Sequence, residues 1–198
     1  MPQRLELLDG GTLEYDEAFY SSDNADAIFE QLRADIPWQQ ERGRMGPFPR
    51  LTAWYADAGL AYSYSGVIHE PLAWTRTLTH IRNRVGVAAR SSFNSVLLNY
   101  YRGGQDSIGY HSDAEPELGI NPIIASISLG EIRRFVLKHV ASGQKLTFDL
   151  AHGSLLVMAG TCQHHWVHGV PKTKAAVGPR INLTFRTIVN PTRLGLKS

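Results

Sequence analysis

An imidazole and a carboxylate stand two residues apart in the stretch His111-Ser112-Asp113. On a strand, side chains at this spacing share one face. A histidine from a distant strand would complete a set of two histidines and one carboxylate, which suits Fe(II) and leaves positions open for a co-substrate and O₂. A His-x-Asp pair alone is a weak signal, because a loop histidine beside a turn aspartate gives the same pattern.

The third ligand has four downstream candidates: His152, His164, His165 and His168. His152 precedes a glycine at an apparent turn, where a structural role is the simpler interpretation. If the segment 164–168 is a strand, His164 and His168 share a face and His165 points the other way. The spacing alone does not choose between His164 and His168.

The segment 180–186 alternates polar and apolar residues, as a strand with one buried face does. One face would carry Arg180, Asn182, Thr184 and Arg186, and the core face Ile181, Leu183 and Phe185. Two arginines inside a small barrel are costly unless an anion satisfies them, and a guanidinium pairs a carboxylate through two bonds. A dicarboxylate is therefore the expected guest, and Asn99 and Tyr101, also two residues apart, could face the same cavity. The alternatives are an amphipathic strand with its arginines in water and an ordinary strand at 99–101.

The elements that must position these residues are mostly short strands. Runs rich in β-formers and separated by glycine or proline turns lie at 93–101, 123–129, 135–139, 145–148, 154–158, 164–168 and 180–189. This pattern predicts a mainly β fold with flanking helices (α+β) and a jelly-roll core, a double-stranded β-helix. One predicted helix begins at Ser22-Asp23 and ends at Ile36-Pro37, and a second runs from Pro71 to Gly86.

Composition limits the remaining possibilities. The chain has 198 residues, 43% of them hydrophobic and 19% charged, with a net charge of +2, which indicates a globular protein with a real core. One cysteine excludes an intramolecular disulfide and a cysteine-built zinc site. We find neither a signal pattern nor an apolar stretch long enough for a membrane. We therefore expect a cytoplasmic monomer without a membrane partner.

Together these motifs resemble the AlkB family of Fe(II)/2-oxoglutarate-dependent dioxygenases, in its branch that repairs alkylated DNA and RNA. The matching stretches are 48–55, 93–101, 111–118, 122–130, 152–156 and 180–186. The resemblance implies an organisation in which residues 1–90 carry helices and nucleotide-recognition hairpins. Residues 91–198 would then form the Fe(II)/2-oxoglutarate jelly-roll core, the two parts making one integrated domain.

The resemblance also assigns the metal and co-substrate residues. In this family the distal histidine precedes a short apolar-proline turn, as in 166–171, which selects His168 to join His111 and Asp113. The residues implied to bind 2-oxoglutarate are Asn99, Tyr101, Arg180, Asn182 and Arg186. Arg186 would clamp the distal carboxylate, while the keto-acid end would chelate the iron.

On the substrate side the resemblance implies a pocket for a base flipped out of its strand. Tyr62 and Tyr64 align with aromatic residues that hold the base, although such a pair alone is more often core packing. Glu115 aligns with an acidic residue that contacts an alkylated, cationic base, and Arg50 matches a position that contacts phosphate. Duplex-specialised members carry an apolar wedge where this chain has the polar stretch 40–46. This departure favours single-stranded DNA or RNA, in which unstacking costs less.

The implied reaction is oxidative demethylation of 1-methyladenine and 3-methylcytosine in nucleic acid. It would consume O₂ and 2-oxoglutarate and release formaldehyde, succinate and CO₂. Two rival interpretations remain open. One is a 2-oxoglutarate dioxygenase that acts on a protein or a small molecule, and the other is a catalytically silent homologue that binds nucleic acid.

Overall fold

The computed structural model describes residues 2–43, 46–60, 62–64, 67–69 and 71–189, and for 62–64 and 67–69 it describes the backbone only. The first half of the chain contains, in order, β1 (Gln3–Glu6), β2 (Gly11–Asp16), α1 (Ser22–Asp35), β3 (Arg42–Gly43), β4 (Gly46–Pro47), β5 (Leu51–Ala56), β6 (Tyr62–Tyr64), β7 (Val67–His69) and α2 (Arg76–Ala89). The second half contains β8 (Ser95–Tyr101), β9 (Ile108–His111), β10 (Ile124–Gly130), β11 (Arg133–His139), β12 (Lys145–Leu150), β13 (Ser154–Gly160), α3 (Cys162–His165), β14 (Trp166–Val170) and β15 (Arg180–Arg186).

Two antiparallel sheets face each other. The large sheet has the order β1-β2-β13-β10-β15-β8-β5, and the small sheet has the order β12-β11-β14-β9. The last eight strands are divided between the two sheets, so the chain crosses repeatedly from one sheet to the other, as a double-stranded β-helix requires. The predicted jelly-roll core is therefore confirmed. Strands β1, β2 and β5, from residues 1–90, extend the same large sheet at its two edges.

Two apolar layers hold the fold together. Between the sheets lie side chains of both, among them Leu156, Met158, Leu137 and Trp166. The opposite face of the large sheet packs against the two long helices through the buried sets Ala25, Phe29 and Leu32 of α1 and Leu78, Ile81 and Val85 of α2. Their helical spacing places each set on one face. The helices thus cover the outside of the sheet, as predicted, and the space between the sheets is left for the site.

The second helix differs from the prediction at both ends. It begins at Arg76, where the Thr75 side chain accepts a hydrogen bond from the Leu78 amide, and it continues past Gly86 to Ala89. The preceding segment stays extended because Leu72 exchanges backbone hydrogen bonds with the β5 edge of the large sheet. Sheet pairing thus overrides the helix-start signal of the proline at 71.

The first helix matches the prediction more closely. Helix α1 begins at Ser22, and Ile36 leaves the helix just before Pro37. Strands β3 and β4 form a short hairpin whose central residues, 44 and 45, lie outside the described part of the chain. No helix among the described residues is long and apolar enough to cross a membrane.

Candidate functional site

His111, Asp113 and His168 meet at the mouth of the space between the sheets. His111 is the last residue of β9 and pairs in register with His168 of β14, which brings the two ring centres to 4.4 Å. Asp113 follows two residues after the end of β9, on the same side. One potential ligand atom from each of the three residues lies within 4.8 Å of the others. The structure therefore brings together the three residues predicted to hold the metal.

Backbone contacts orient two of these side chains. Nδ1 of His111 lies 2.9 Å from the carbonyl oxygen of Gly109, which can only accept, so Nδ1 carries the proton and Nε2 keeps its lone pair for a metal. The backbone N–H of Asp113 donates to Oε1 of Gln163 at 2.9 Å. Gln163 is buried in α3, and no local spacing points to this role, because the contact spans 50 residues.

The charges around the trio favour its metal-binding protonation states. Burial alone would raise the pKa of Asp113, but the charge of Arg186, the electrostatic attraction of the His168 and His111 rings and the hydrogen bonds from Arg186 outweigh it and hold this pKa below its usual value. Burial, followed by the charge of His111, lowers the pKa of His168 to about 3. A carboxylate and a neutral imidazole are the forms that coordinate a cation.

Two buried polar atoms of the trio have no hydrogen-bond partner among the described residues. They are Oδ2 of Asp113 and Nδ1 of His168. Oδ2 also lies 3.8 Å from Nε2 of His168, too far for a hydrogen bond. Buried carboxylate oxygens are normally satisfied, so this atom indicates a missing partner. Two imidazoles and one carboxylate with open positions fit Fe(II).

The cavity that contains the trio extends along β15. Its lining includes all eight residues predicted for the metal and the co-substrate, together with Leu97, Ile108, Ser126, Phe135, Met158, Val170 and Thr184. The alternation predicted for β15 is confirmed, since its even-numbered residues line the cavity and its odd-numbered ones lie in the core under the helices. Ser126 was not predicted as a cavity residue, because the pattern at 123–129 indicates a strand but not which face of the strand lines the cavity.

Arg180 is a buried cation with two unpaired donors among the described residues. Its side chain is 1% exposed, and Nη2 donates to Oγ of Ser128 at 2.9 Å. Nε and Nη1 have no hydrogen-bond partner among the described residues. Burial lowers the pKa of Arg180 below its ordinary value, which is the cost of a desolvated cation. A carboxylate in the cavity would remove that cost and fill both donors.

Arg186 lies elsewhere than predicted. Its guanidinium donates to Oδ1 of Asp113 from Nε at 3.0 Å and from Nη2 at 2.6 Å. Arg186 is thus at the metal end of the cavity, and Arg180, six residues earlier on the same face, is farther along β15. The alternation of β15 identified the face correctly, but it carries no information about which arginine meets which end of a ligand.

Comparison with known proteins agrees with this geometry. A sequence profile described as the 2OG-Fe(II) oxygenase superfamily matches residues 12–186. DNA oxidative demethylase ALKBH2 of Mus musculus is 39% identical over 184 residues, which cover 85% of this chain and 77% of that protein. The chain belongs to the AlkB family of 2OG-Fe(II) oxygenases. Alpha-ketoglutarate-dependent dioxygenase alkB homolog 3 of Bos taurus is 41% identical, with 86% of this AlkB-family chain covered.

Length and fold complete the comparison. The chain spans 64% of the Bos taurus alkB homolog 3 and 66% of the Bos taurus DNA oxidative demethylase ALKBH2, to which it is 39% identical over 85% of its own length. The solved structure of OsALKBH1 matches 93% of the chain and 100% of its own length with a TM-score of 0.67 at 18% identity. At that identity the likeness shows the AlkB-type fold alone.

In this AlkB-family chain Arg50 is inside the protein, whereas a phosphate contact would need it at the surface. Its side chain is 3% exposed, and its Nε donates to Oδ1 of Asn99 at 2.6 Å. With Oδ1 engaged, Asn99 can offer its amide nitrogen to the cavity, a donor as an anion requires. Asn182 differs, because its amide nitrogen already donates to Oγ of Ser126 and to the carbonyl oxygen of residue 127.

The residues predicted for base recognition are only partly described. Oε2 of Glu115, two residues after Asp113, is buried and has no hydrogen-bond partner within the described residues. Tyr62 and Tyr64 lie on β6, which pairs with β7, but their side chains are outside what the structure describes.

The other histidine candidates lie away from the trio. His164 is not on a strand, because residues 162–165 form the short helix α3, and its ring contacts the carbonyl oxygen of Ile120. Nδ1 of His165 lies 3.9 Å from Oδ2 of Asp9, and His165 does not line the cavity. His152 accepts a hydrogen bond from the Gly130 amide at 2.8 Å, which supports the structural role expected for it.

Proposed function

We propose that this chain is an Fe(II)/2-oxoglutarate-dependent dioxygenase that demethylates N-alkylated bases in nucleic acid, with 1-methyladenine and 3-methylcytosine as substrates. The reaction consumes O₂ and 2-oxoglutarate and yields the unmethylated base, formaldehyde, succinate and CO₂. One observation carries the proposal: the His111–Asp113–His168 trio and the unsatisfied cation of Arg180 line a single cavity.

The metal end of the cavity supports the first half of the reaction. His111, Asp113 and His168 would hold Fe(II), which supplies the activation of O₂ when it is bound. The protein keeps Asp113 ionised through Arg186 and keeps His168 neutral through burial, so no proton must leave these groups before a metal binds. Gln163 fixes the backbone of Asp113 and thereby the direction of its side chain.

The far end of the cavity supports binding of a dicarboxylate. Arg180 would pair with the distal carboxylate of 2-oxoglutarate through Nε and Nη1, and Tyr101, whose ring lies 5.2 Å from the guanidinium carbon, borders the same place. Asn99 would add an amide donor. Asn182 and Thr184, joined by a 2.9 Å hydrogen bond, would shape the wall. The apolar residues Leu97, Phe135 and Met158 would keep bulk water out.

Glu115 supports a cationic substrate. Methylation of N1 of adenine or N3 of cytosine gives the base a positive charge, and a buried carboxylate oxygen without a partner is the group that would recognise it. Because Glu115 is only two residues from Asp113, a base held there lies beside the metal. Tyr62 and Tyr64 would pack on the base, as proposed from the sequence.

The names of the relatives support nucleic acid as the substrate class, since two of them are called DNA oxidative demethylase. The sequence of the stretch 40–46 is mostly polar and charged, which favours single-stranded DNA or RNA, because duplex-specialised members of the family carry an apolar wedge at this place. Residues 1–90 would carry this recognition and residues 91–198 the chemistry. The monomeric state and the cytoplasmic location stay predictions.

The test begins with anaerobic protein that is loaded with Fe(II) and 2-oxoglutarate and then exposed to air with methylated oligonucleotides. The panel holds 1-methyladenine and 3-methylcytosine in single- and double-stranded DNA and RNA, and mass spectrometry follows the loss of 14 Da per methyl group removed, roughly the mass of one CH₂. We expect demethylation with matching succinate release, fastest on single strands. Succinate release that no oligonucleotide stimulates would support a protein or small-molecule substrate instead, and oligonucleotide binding without any succinate would support a silent binder.

Two variants test the roles proposed for Asp113 and Glu115. Asp113→Ala should abolish coupled demethylation and weaken Fe(II) binding. Glu115→Gln keeps the size of the side chain and removes its charge, so it should slow demethylation of cationic bases while basal conversion of 2-oxoglutarate continues. Unchanged turnover in Asp113→Ala would remove this residue from the metal site.

A further inference from the structure

A second cluster of metal-ligand types lies outside the cavity, at the edge of the small sheet. Asp9 is in the turn between β1 and β2, His139 ends β11, and His165 ends α3. One potential ligand atom from each lies within 4.8 Å of the others, as in the first trio. None of the three lines the cavity described above, and the proposed reaction has no use for them.

The distances centre on one carboxylate oxygen. Oδ2 of Asp9 lies 2.8 Å from Nε2 of His139 and 3.9 Å from Nδ1 of His165. The other ring nitrogen of His139, Nδ1, receives the backbone N–H of Ser142 at 3.2 Å. Because that N–H can only donate, the ring proton is on Nε2, between the ring and Asp9. A bound cation would replace this proton and be coordinated by Nε2 of His139 and Oδ2 of Asp9.

Neighbouring residues hold the side chains of this second cluster in place, as they do in a metal site. The His139 ring is buried and fixed by Ser142, as second-layer partners fix metal-binding histidines. Asp9 is held at φ 59°, a left-handed conformation that is rare outside glycine and is retained when the surroundings enforce it. The side chains of Asp9 and His165 are 51% and 42% exposed, so water can complete the coordination.

We propose that Asp9, His139 and His165 bind one divalent transition-metal ion, with zinc as the preferred ion. Two imidazoles and a carboxylate suit zinc, which takes three protein ligands and a water in an open site. A carboxylate-only ion such as Mg²⁺ is disfavoured by the two nitrogens.

The place of this cluster in the fold gives the ion a structural consequence. It would join the β1–β2 turn to the end of β11 and to the start of β14, which carries His168 three residues after His165. These ligands are up to 156 positions apart in the chain, from residue 9 to residue 165. The ion would therefore anchor the N-terminal edge of the large sheet to the strand that carries His168.

The test counts zinc in the chelator-stripped full-length chain by equilibrium dialysis and elemental analysis, with Zn²⁺ as the only probe. Wild type should bind two equivalents and Asp113→Asn one. Adding Asp9→Asn or His165→Asn to Asp113→Asn should weaken the remaining equivalent by more than about 10-fold, because even second-layer partners contribute roughly 10- to 100-fold to metal affinity. The matched control adds His80→Asn, a change to an exposed histidine on α2, and should keep the equivalent.

Thermal unfolding gives an independent measure of the same binding. In the Asp113→Asn background, zinc at about 100 times its Kd should raise Tm by roughly 5–10 °C, and Asp9→Asn should remove the rise. A single zinc in wild type that Asp113→Asn abolishes would overturn the proposal and leave Asp9 and His139 as a hydrogen-bonded pair only. If a variant fails to fold, anomalous scattering from zinc-soaked wild-type crystals provides the test. Zinc density beside Asp9, His139 and His165 would support the proposal, and zinc density beside His111 and His168 alone would overturn it.

Discussion

The guanidinium of Arg186 donates two hydrogen bonds to the same carboxylate oxygen of Asp113, from Nε at 3.0 Å and from Nη2 at 2.6 Å. These two hydrogen bonds occupy Oδ1, so that Oδ2 remains on the side of His168, 3.8 Å from its Nε2. Both side chains are nearly buried, so solvent screens the interaction little. Arg186 therefore acts on the metal ligand itself, and Arg180 is left to meet the far end of a dicarboxylate.

The contact predicts that Arg186→Lys weakens the metal site. Lysine keeps the charge but loses the paired donors of the guanidinium, so Asp113 would no longer be held in one orientation. We expect the Kd for Fe(II), measured anaerobically without 2-oxoglutarate, to rise about 10- to 100-fold, as it does when partners of metal ligands are removed. Arg134→Lys, on the exposed face of β11, is the matched control and should leave this Kd unchanged.

Arg180→Met should give the complementary result. Methionine fills much of the space but cannot pair with a carboxylate, and a hydrogen bond to a charged group contributes about 1.5–3 kcal/mol. We expect the KM for 2-oxoglutarate to rise roughly 10- to 100-fold, while Fe(II) binding without the co-substrate stays as in wild type. If Arg186→Lys instead raised the KM and Arg180→Met weakened iron binding, the two arginines would have the opposite assignment.

The features that depend on neighbouring residues, such as the two faces of β15, could be predicted from the sequence. The alternation in β15 correctly separated Ile181, Leu183 and Phe185 from the polar face, because strand geometry fixes which side chains share a face. Likewise, short strands between turns were enough to predict the jelly roll. These features depend on neighbours in the chain, and local patterns report them well.

The features that could not be predicted from the sequence depend on contacts between residues far apart in the chain. The end of the cavity that each arginine meets is set by the position of Asp113, 73 residues away from Arg186. The helical turn of α3 broke the expected strand at His164, since a four-residue element has too few positions to show a period. Arg50 was expected at the surface, but its contact with Asn99 spans 49 residues. No spacing rule encodes such pairs.

Gln163 should prove to be a positioning residue for the metal. Its Oε1 accepts the backbone N–H of Asp113 at 2.9 Å inside the protein, and its Nε2 lies 3.7 Å from the sulfur of Met158. Gln163→Met preserves the length of the side chain and removes the acceptor, which leaves a buried N–H unsatisfied at a cost of about 1–3 kcal/mol. We expect a lower Tm and a weaker affinity for Fe(II), with the KM for 2-oxoglutarate little changed.

The comparison for this variant is Gln144→Met, an exposed glutamine in the turn after β11, which should change neither Tm nor iron affinity. A Gln163→Met protein that loses stability but binds Fe(II) as tightly as wild type would limit Gln163 to a structural role.

The stability of the metal-free protein should depend on pH through His168. Burial, and then the charge of His111, lowers the pKa of His168 to about 3, whereas an unfolded histidine has a pKa near 6.5. Between these values the unfolded chain binds a proton that the folded chain does not. The contribution of His168 to folding is therefore fully present above pH 6.5 and is lost progressively as the pH falls towards 3.

We expect the Tm of the chelator-treated protein to fall between pH 7.5 and pH 5, and His168→Asn to reduce that fall because asparagine does not titrate in this range. His80→Asn, which changes an exposed histidine of α2, should keep the full slope. An equal slope in His168→Asn and wild type would mean that other groups cause the pH dependence.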